Sequence, residues 1–301
     1  MTAIEAKRTP DERFSGLRDF SYRPHYIDDL PGYEGLRMHY IDEGPADATE
    51  TFLCLHGEPS WCYLYRKMAP VFLERGARVI APDLFGFGRS DKPIEDAVYT
   101  FDFHRGSLLR FIERLDCTAV TLVVQDWGGL LGLTLPMAMP ERVKRLLVMN
   151  TTLACGEGVP SDGFAGWRDY MAAQHDVDIA TLMTRAIGGL DDAGAAAYAA
   201  PFPSAEYKAG VRRFPAIVPT EPDMQGADTS RQARTWLTEE WSGPTFMAVG
   251  MLDPVLGPDV MNALRTHIAG CPPPMEVAEG GHFVQEHGEG IARAACDAFG
   301  L

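Results

Sequence analysis

The sequence predicts an α/β protein: a doubly wound, mostly parallel sheet with a helical segment inserted between two core strands. Three observations lead there. Short apolar, β-rich runs recur along the chain, most of them bounded by Gly, Pro or Asp. Helical patterns separate them, and strand and helix in alternation imply parallel pairing with crossover helices. The alternation lapses between Thr151 and about Met224, then resumes. With 301 residues and 46% hydrophobic content, the chain is able to bury a large core.

The elements follow in order. Met1–Pro10 lacks an apolar signal core, and no apolar run reaches membrane-spanning length. Strands are expected at Leu36–Ile41, Thr51–Leu55, Arg78–Ala81, Ala119–Val124, Arg145–Met149, Thr245–Val249 and Met275–Val277. Several are apolar throughout, as in parallel strands covered on both faces. Helices are expected at Phe103–Leu115 and Trp127–Met139. The stretch after Thr151 is helical by composition, with Ala-rich Asp191–Ala200 and Pro at 201, 203, 215, 219 and 222. It is too long for a structureless loop in a compact domain. The expected division is a core over 1–151, a helical cap over 152–224 and the rest of the core over 225–301.

A net charge of −15 argues against nucleic acid or an anionic membrane as partner. The six cysteines form no C-x-x-C, and no His stands at zinc-ligand spacing from a Cys pair. This points to reduced thiols in a cytoplasmic protein. No metal or organic cofactor is implied, and the expected state is a monomer.

The sharpest local signal is Val123-Val124-Gln125-Asp126-Trp127-Gly128-Gly129. An apolar strand ends at an acid, and two glycines start an apolar helix. So tight a turn strains the residue at its tip and projects it above the carboxyl edge of the sheet, where open α/β sheets bind ligands. In the hydrolytic version of this turn the tip is usually Ser. Here it is Asp126, and none of the nine serines has a G-x-S-x-G context. Taken alone, Asp126 also suits a simple helix cap.

Two later positions complete a set. Asp253 follows the Thr245–Val249 run, and His282 follows Met275–Val277 in Glu279-Gly-Gly-His-Phe283. The order nucleophile, acid, base, each past a strand, brings all three to one sheet edge. Separately, Asp253 reads as a turn residue and His282 as a surface histidine. His56-Gly57-Glu58 follows another strand, where the N–H after His-Gly serves an oxyanion site together with the N–H of Trp127. Gly86-Phe-Gly-Arg-Ser-Asp91 lacks the third Gly and the helix start of a dinucleotide fingerprint, which excludes NAD or FAD there.

At these residues the sequence resembles the haloalkane dehalogenases of the α/β-hydrolase superfamily. The likeness runs over nearly the whole chain. It is strongest at His56–Trp61, Pro82–Pro93, Val123–Gly129, Asp162–Trp167 and Ala200–Pro203. It implies an eight-stranded α/β-hydrolase sheet and the subfamily whose acid follows the seventh strand. By resemblance, Asp126 is nucleophile, His282 base and Asp253 its orienting acid. Trp127 and Trp167 bind halide, and Glu58 helps hold the hydrolytic water and the oxyanion. Phe164, Phe214, Pro215, Val218, Val255 and Leu256 line the pocket, and Leu130 stands where one member carries an aromatic. The implied activity converts short to medium haloalkanes to primary alcohol and halide. The partners are then a small neutral halogenated substrate and a halide product.

The chemistry suits these residue types. A carboxylate displaces halide from saturated carbon and leaves an ester open to water, whereas an ether on Ser would be inert. His282 takes the water's proton and Asp253 steadies the imidazolium. Indoles donate without accepting, so they cradle a halide in a dry pocket. An epoxide hydrolase shares the acid, base and lid but needs lid tyrosines, for which Tyr170, Tyr198 and Tyr207 are available. A catalytically silent binding protein of the same fold is the remaining alternative.

Overall fold

The computed structural model describes residues 4–301; Met1–Ala3, the start of the segment read above for a signal core, lie outside the described residues. Eight strands form one sheet: β1 (His25–Ile27), β2 (Met38–Glu43), β3 (Thr51–Leu55), β4 (Arg78–Pro82), β5 (Val120–Gln125), β6 (Val143–Met149), β7 (Thr245–Gly250) and β8 (Met275–Val277). Their order is β8-β7-β6-β5-β3-β4-β2-β1. β1–β2 and β2–β4 are antiparallel and all other neighbours are parallel. β3 and β5 are buried along their whole length, which accounts for their mostly apolar sequence.

The expected strands differ from these mainly at their ends. β2 starts at Met38 rather than Leu36 and runs on to Glu43. β1 was not expected. Its three residues, His-Tyr-Ile, carry no apolar run, and it exists by pairing Tyr26 with His39 of β2. A two-residue pairing of Ala6–Lys7 with Lys92–Pro93 stands apart from the sheet.

Helices α1 (Ala69–Glu74) and α2 (Phe101–Arg114) precede the turn after β5. The single helix expected over Trp127–Met139 is two: α3 (Trp127–Gly132) and α4 (Leu135–Ala138). Pro136 has no N–H to continue α3 and sits instead in the first turn of α4.

Between β6 and β7 lie α5 (Asp162–Ala172), α6 (Ile179–Ala186), α7 (Asp192–Ala199) and α8 (Ala209–Ile217), followed by α9 (Ala227–Glu239). Side chains of Ser161, Asp178 and Asp191 cap α5, α6 and α7 by accepting from the N–H of Phe164, Thr181 and Gly194. α10 (Pro258–Arg265) follows β7 and α11 (Gly288–Phe299) closes the chain.

One of the helices between β6 and β7 is tied to the core through a buried ion pair. Arg66 donates through Nη1 and Nη2 to the two oxygens of Glu286, each at 2.8 Å. Tyr198 on α7 donates to the same carboxylate at 2.6 Å. Burial would raise the Glu286 pKa, but Arg66, Lys67 and Tyr198 outweigh it and hold it below the usual range.

Candidate active site

The sheet order reverses between β3 and β5, which lie side by side with Leu55 opposite Val124. Ligands of open α/β sheets bind at the carboxyl ends of such a pair. Here β3 delivers His56-Gly57-Glu58 and β5 delivers Asp126.

Asp126 holds φ 49° and ψ −126°, a conformation costly for a residue with a side chain. The turn closes because α3 presses onto β3. A Cβ on Gly128 would lie 1.9 Å from the Leu55 carbonyl oxygen, so only glycine fits. The Asp126 side chain does not cap α3, which removes the helix-cap reading. Instead its Oδ1 accepts from the N–H of Glu58 at 2.8 Å. Trp127 is the first residue of α3, where backbone N–H groups have no acceptor within the helix.

His282 reaches the same point from the loop past β8. Its Nε2 is 3.6 Å from Asp126 Oδ2, and its Nδ1 is 2.9 Å from Asp253 Oδ2. Asp253 is buried past the end of β7. Its Oδ1 accepts from the N–H of Val255 at 2.8 Å, and its Oδ2 also accepts from Asn150 Nδ2 at 2.7 Å. Burial would raise its pKa, yet His282 and these donors bring it down to about 2. Burial likewise opposes charge on His282. The carboxylates of Asp253 and Asp126 outweigh that and hold the imidazole well above its usual value.

Glu58 is the opposite case. It is buried, no cation lies within ion-pair distance among the described residues, and its Oε1 has no partner. Burial first, then the neighbouring Asp126 charge, push its pKa well above the ordinary carboxyl value. Glu58 therefore holds its proton more tightly than an ordinary carboxyl group, the direction expected when two carboxyl groups crowd one buried site.

These groups share one cavity of about 690 Å³. Glu58, Asp126, Trp127, Trp167 and His282 lie on its wall, as do Phe164, Pro215, Val218, Val255, Leu256 and Leu130. Asp253 lies behind His282. Phe214 is the exception to the expected lining: it is buried behind Trp127, ring centroids 4.6 Å apart, and backs the wall. Trp61 and Trp241 each spend their indole N–H on a protein oxygen, at 3.2 and 3.0 Å. Trp127 and Trp167 have no such acceptor among the described residues.

Trp167 owes its place to how α5 docks. A Cβ on Gly163 would lie 1.9 Å from the Pro254 carbonyl oxygen, and Ser161 donates to the Val255 carbonyl at 3.1 Å. α5 therefore sits directly on the loop that carries Asp253.

None of Tyr170, Tyr198 and Tyr207 lines the cavity. Tyr198 is committed to Glu286, so none of these three hydroxyls is placed on the cavity wall to donate to an epoxide. The fold also brings together His39, Cys62 and Asp83, whose ligand atoms lie within 4.8 Å of one another. The Asp83 oxygens already accept from His39 Nδ1 at 2.7 Å, Cys62 N at 2.8 Å and Arg89 N at 2.7 Å. The cluster braces the turn after β4 and lies off the cavity wall.

Two residues escaped sequence reasoning. Asn150, at the end of β6, supports Asp253 and accepts from the N–H of Gly250 at 2.8 Å. Its signal was a polar residue closing an apolar strand. Gln125 precedes the nucleophile, and its Nε2 lies 3.1 Å from both the Nε2 and the carbonyl oxygen of His282.

The chain matches the family model described as alpha/beta hydrolase fold over residues 50–289. It is 42% identical over 293 residues to a haloalkane dehalogenase of Psychrobacter cryohalolentis, covering 95% of each chain. A solved structure, the tetrameric haloalkane dehalogenase DpaA from Paraglaciecola agarilytica NO2, is 53% identical with a TM-score of 0.97, covering 99% of this chain and 100% of that one. The haloalkane dehalogenase DbeA from Bradyrhizobium elkani, at 24% identity and a TM-score of 0.75, shares the fold, covering 93% of this chain and 98% of that one.

Proposed function

Since this chain belongs to the haloalkane dehalogenases of the α/β-hydrolase superfamily and hydrolyses carbon–halogen bonds, we propose how its own residues divide that reaction. A carboxylate stands at the strained turn, 3.6 Å from an imidazole, on the wall of a chamber with two uncommitted indoles. That arrangement carries the reading.

In the first half, an Asp126 oxygen attacks the halogen-bearing carbon and the halide leaves with the bonding pair. Trp127 and Trp167 donate to the departing anion from the chamber wall. In the second half, His282 takes a proton from water, and the hydroxide attacks the ester carbonyl of Asp126. The N–H groups of Glu58 and Trp127 receive the oxyanion, the alcohol leaves with the proton from His282, and the new Asp126 carboxyl group gives up its own proton to His282 to restore the carboxylate. Asp253, held by Asn150 and Val255, supports the imidazolium throughout.

His282 changes role because its neighbour changes charge. Ester formation removes the Asp126 anion, one of the two carboxylates that raise the proton affinity of the imidazole. The proton passes to solvent, and His282 becomes a base only once there is an ester to hydrolyse.

For substrate range we propose short to medium primary haloalkanes, since a chamber of about 690 Å³ walled by Leu130, Phe164, Pro215, Val218, Val255 and Leu256 has room for a small apolar chain beside Asp126. For location we propose the cytoplasm, because all six thiols are free and buried. For assembly we propose the monomer: Val159, Tyr170, Leu252 and Met275 are the large apolar side chains exposed among the described residues, a sparse surface for an interface. A light-scattering mass several times that of one chain, as for the tetrameric DpaA, would overturn that state.

The test of the chemistry is His282→Phe. Incubation with 1-bromobutane should leave the butyl group on the peptide containing Asp126 and release about one halide per enzyme. An unmodified peptide after long incubation would refute the scheme. Styrene oxide should yield no diol.

A further inference from the structure

On the reading just given, His282 must shed a proton between the two halves of the reaction. Three carboxyl groups face it: Asp253 past β7, Asp126 past β5 and Glu58 past β3. All three favour or tolerate the imidazolium. One group does the reverse. The side-chain nitrogen of Gln125 lies 3.1 Å from Nε2 of His282.

The orientation of that amide is fixed from outside the titration. Gln125 Nε2 also donates to the backbone carbonyl of His282 at 3.1 Å. Turning the amide over would set its oxygen against that carbonyl oxygen. The positive end of the amide is therefore held toward Nε2 and disfavours a second proton there. Gln125 is buried, and its Oε1 finds no partner. A buried amide that leaves its acceptor unsatisfied while aiming its donor at the base is oriented at a cost.

We infer that Gln125 is a positioning residue for the hydrolytic half-reaction, which drives the proton off His282 once Asp126 is esterified. In the resting enzyme the Asp126 oxygen at 3.6 Å and the Gln125 amide at 3.1 Å make opposite demands on Nε2. The anion prevails. With the anion consumed, the amide remains, and the Nε2–H proton goes to solvent. No other bond changes in that step.

The experiment is Gln125→Met, which keeps length and burial and removes the donor. Rapid-quench mass spectrometry on the Asp126 peptide follows formation and decay of the ester from pH 6 to pH 9. Ester formation should match the parent enzyme. Ester decay should be about three- to tenfold slower near pH 6.5, the worth of one hydrogen bond, and should recover by pH 9. Gln125→Glu, which puts an acceptor in the same place, should move the acid limb further in the same direction. Equal slowing at every pH, or an acid limb that does not move, overturns the inference. The absence of an ester in the parent enzyme refutes the reading it rests on, and the inference with it. Normal ester chemistry with an unmoved limb refutes the inference alone.

Discussion

Replacing Asp126 by Asn imitates the charge state of the ester without forming it. The perturbation removes one negative charge 3.6 Å from Nε2 of His282. Two unit charges at that distance interact by about 1 kcal/mol at the dielectric of water and by about 4–5 kcal/mol at an effective dielectric of 20. His282 is partly open to the chamber, with 16% side-chain exposure, so the value falls between these limits. The proton affinity of the imidazole should drop roughly ten- to a thousandfold. Asp253 and its partners Asn150 and Val255 are untouched, so the fold of the loop should persist. NMR titration of the histidine ring protons reads the change directly. His282 is assigned by its loss in His282→Phe, and intact mass verifies that the amide persists. A midpoint that stays in place, or that rises, would refute the charge-coupled account of the base.

Glu58→Gln should flatten the dependence of stability on pH. Folded Glu58 binds its proton more tightly than the unfolded chain does. Its contribution is full below the unfolded carboxyl pKa of about 4.3 and is lost as pH rises through the folded value, at about 1.4 kcal/mol per pH unit. Urea unfolding at pH 5 and pH 8 should show a smaller difference in the variant, and an equal difference would count against a raised proton affinity at Glu58. Glu286→Gln leaves Arg66 buried without its anion and should cost about 3–5 kcal/mol in urea unfolding; a loss below about 1 kcal/mol would mean that the pair is not a buried, mutually dependent one. Trp167→Phe keeps the ring and removes the donor, so bromide affinity should fall about tenfold or more. Unchanged quenching of tryptophan fluorescence by bromide would take Trp167 out of the halide site.

The parts of the fold legible in the sequence are those whose physics is local. β3 and β5 are covered on both faces, so they are mostly apolar, with Thr51 and Thr121 near their starts and Gln125 at the end of β5 as the polar residues. Asp126 was visible because the strain of the turn demands glycines beside it. What depends on contacts between distant segments was not visible. β1 has no pattern of its own and exists by pairing with β2. Asn150 and Gln125 acquire their roles from β7 and from the loop past β8, more than a hundred residues further along. Phe214 shows the limit of a resemblance carried over by position. Adjacent residues on a helix point about 100° apart, so on α8 Pro215 meets the cavity while Phe214 turns behind Trp127.

The seat of α5 on the Asp253 loop bears on how such an enzyme is re-engineered. Chain-length preference invites a graft in which the inserted helices of one relative are exchanged for those of another. Here the graft line would run through Ser161 and Gly163, where the helix carrying Trp167 rests on the carbonyls of Pro254 and Val255. Any replacement bulkier than glycine at 163 would lever that loop, and the orienting acid of the base with it. Selectivity and turnover are mechanically linked at this joint, and a chimera meant to alter the first must bring its own matching loop to preserve the second.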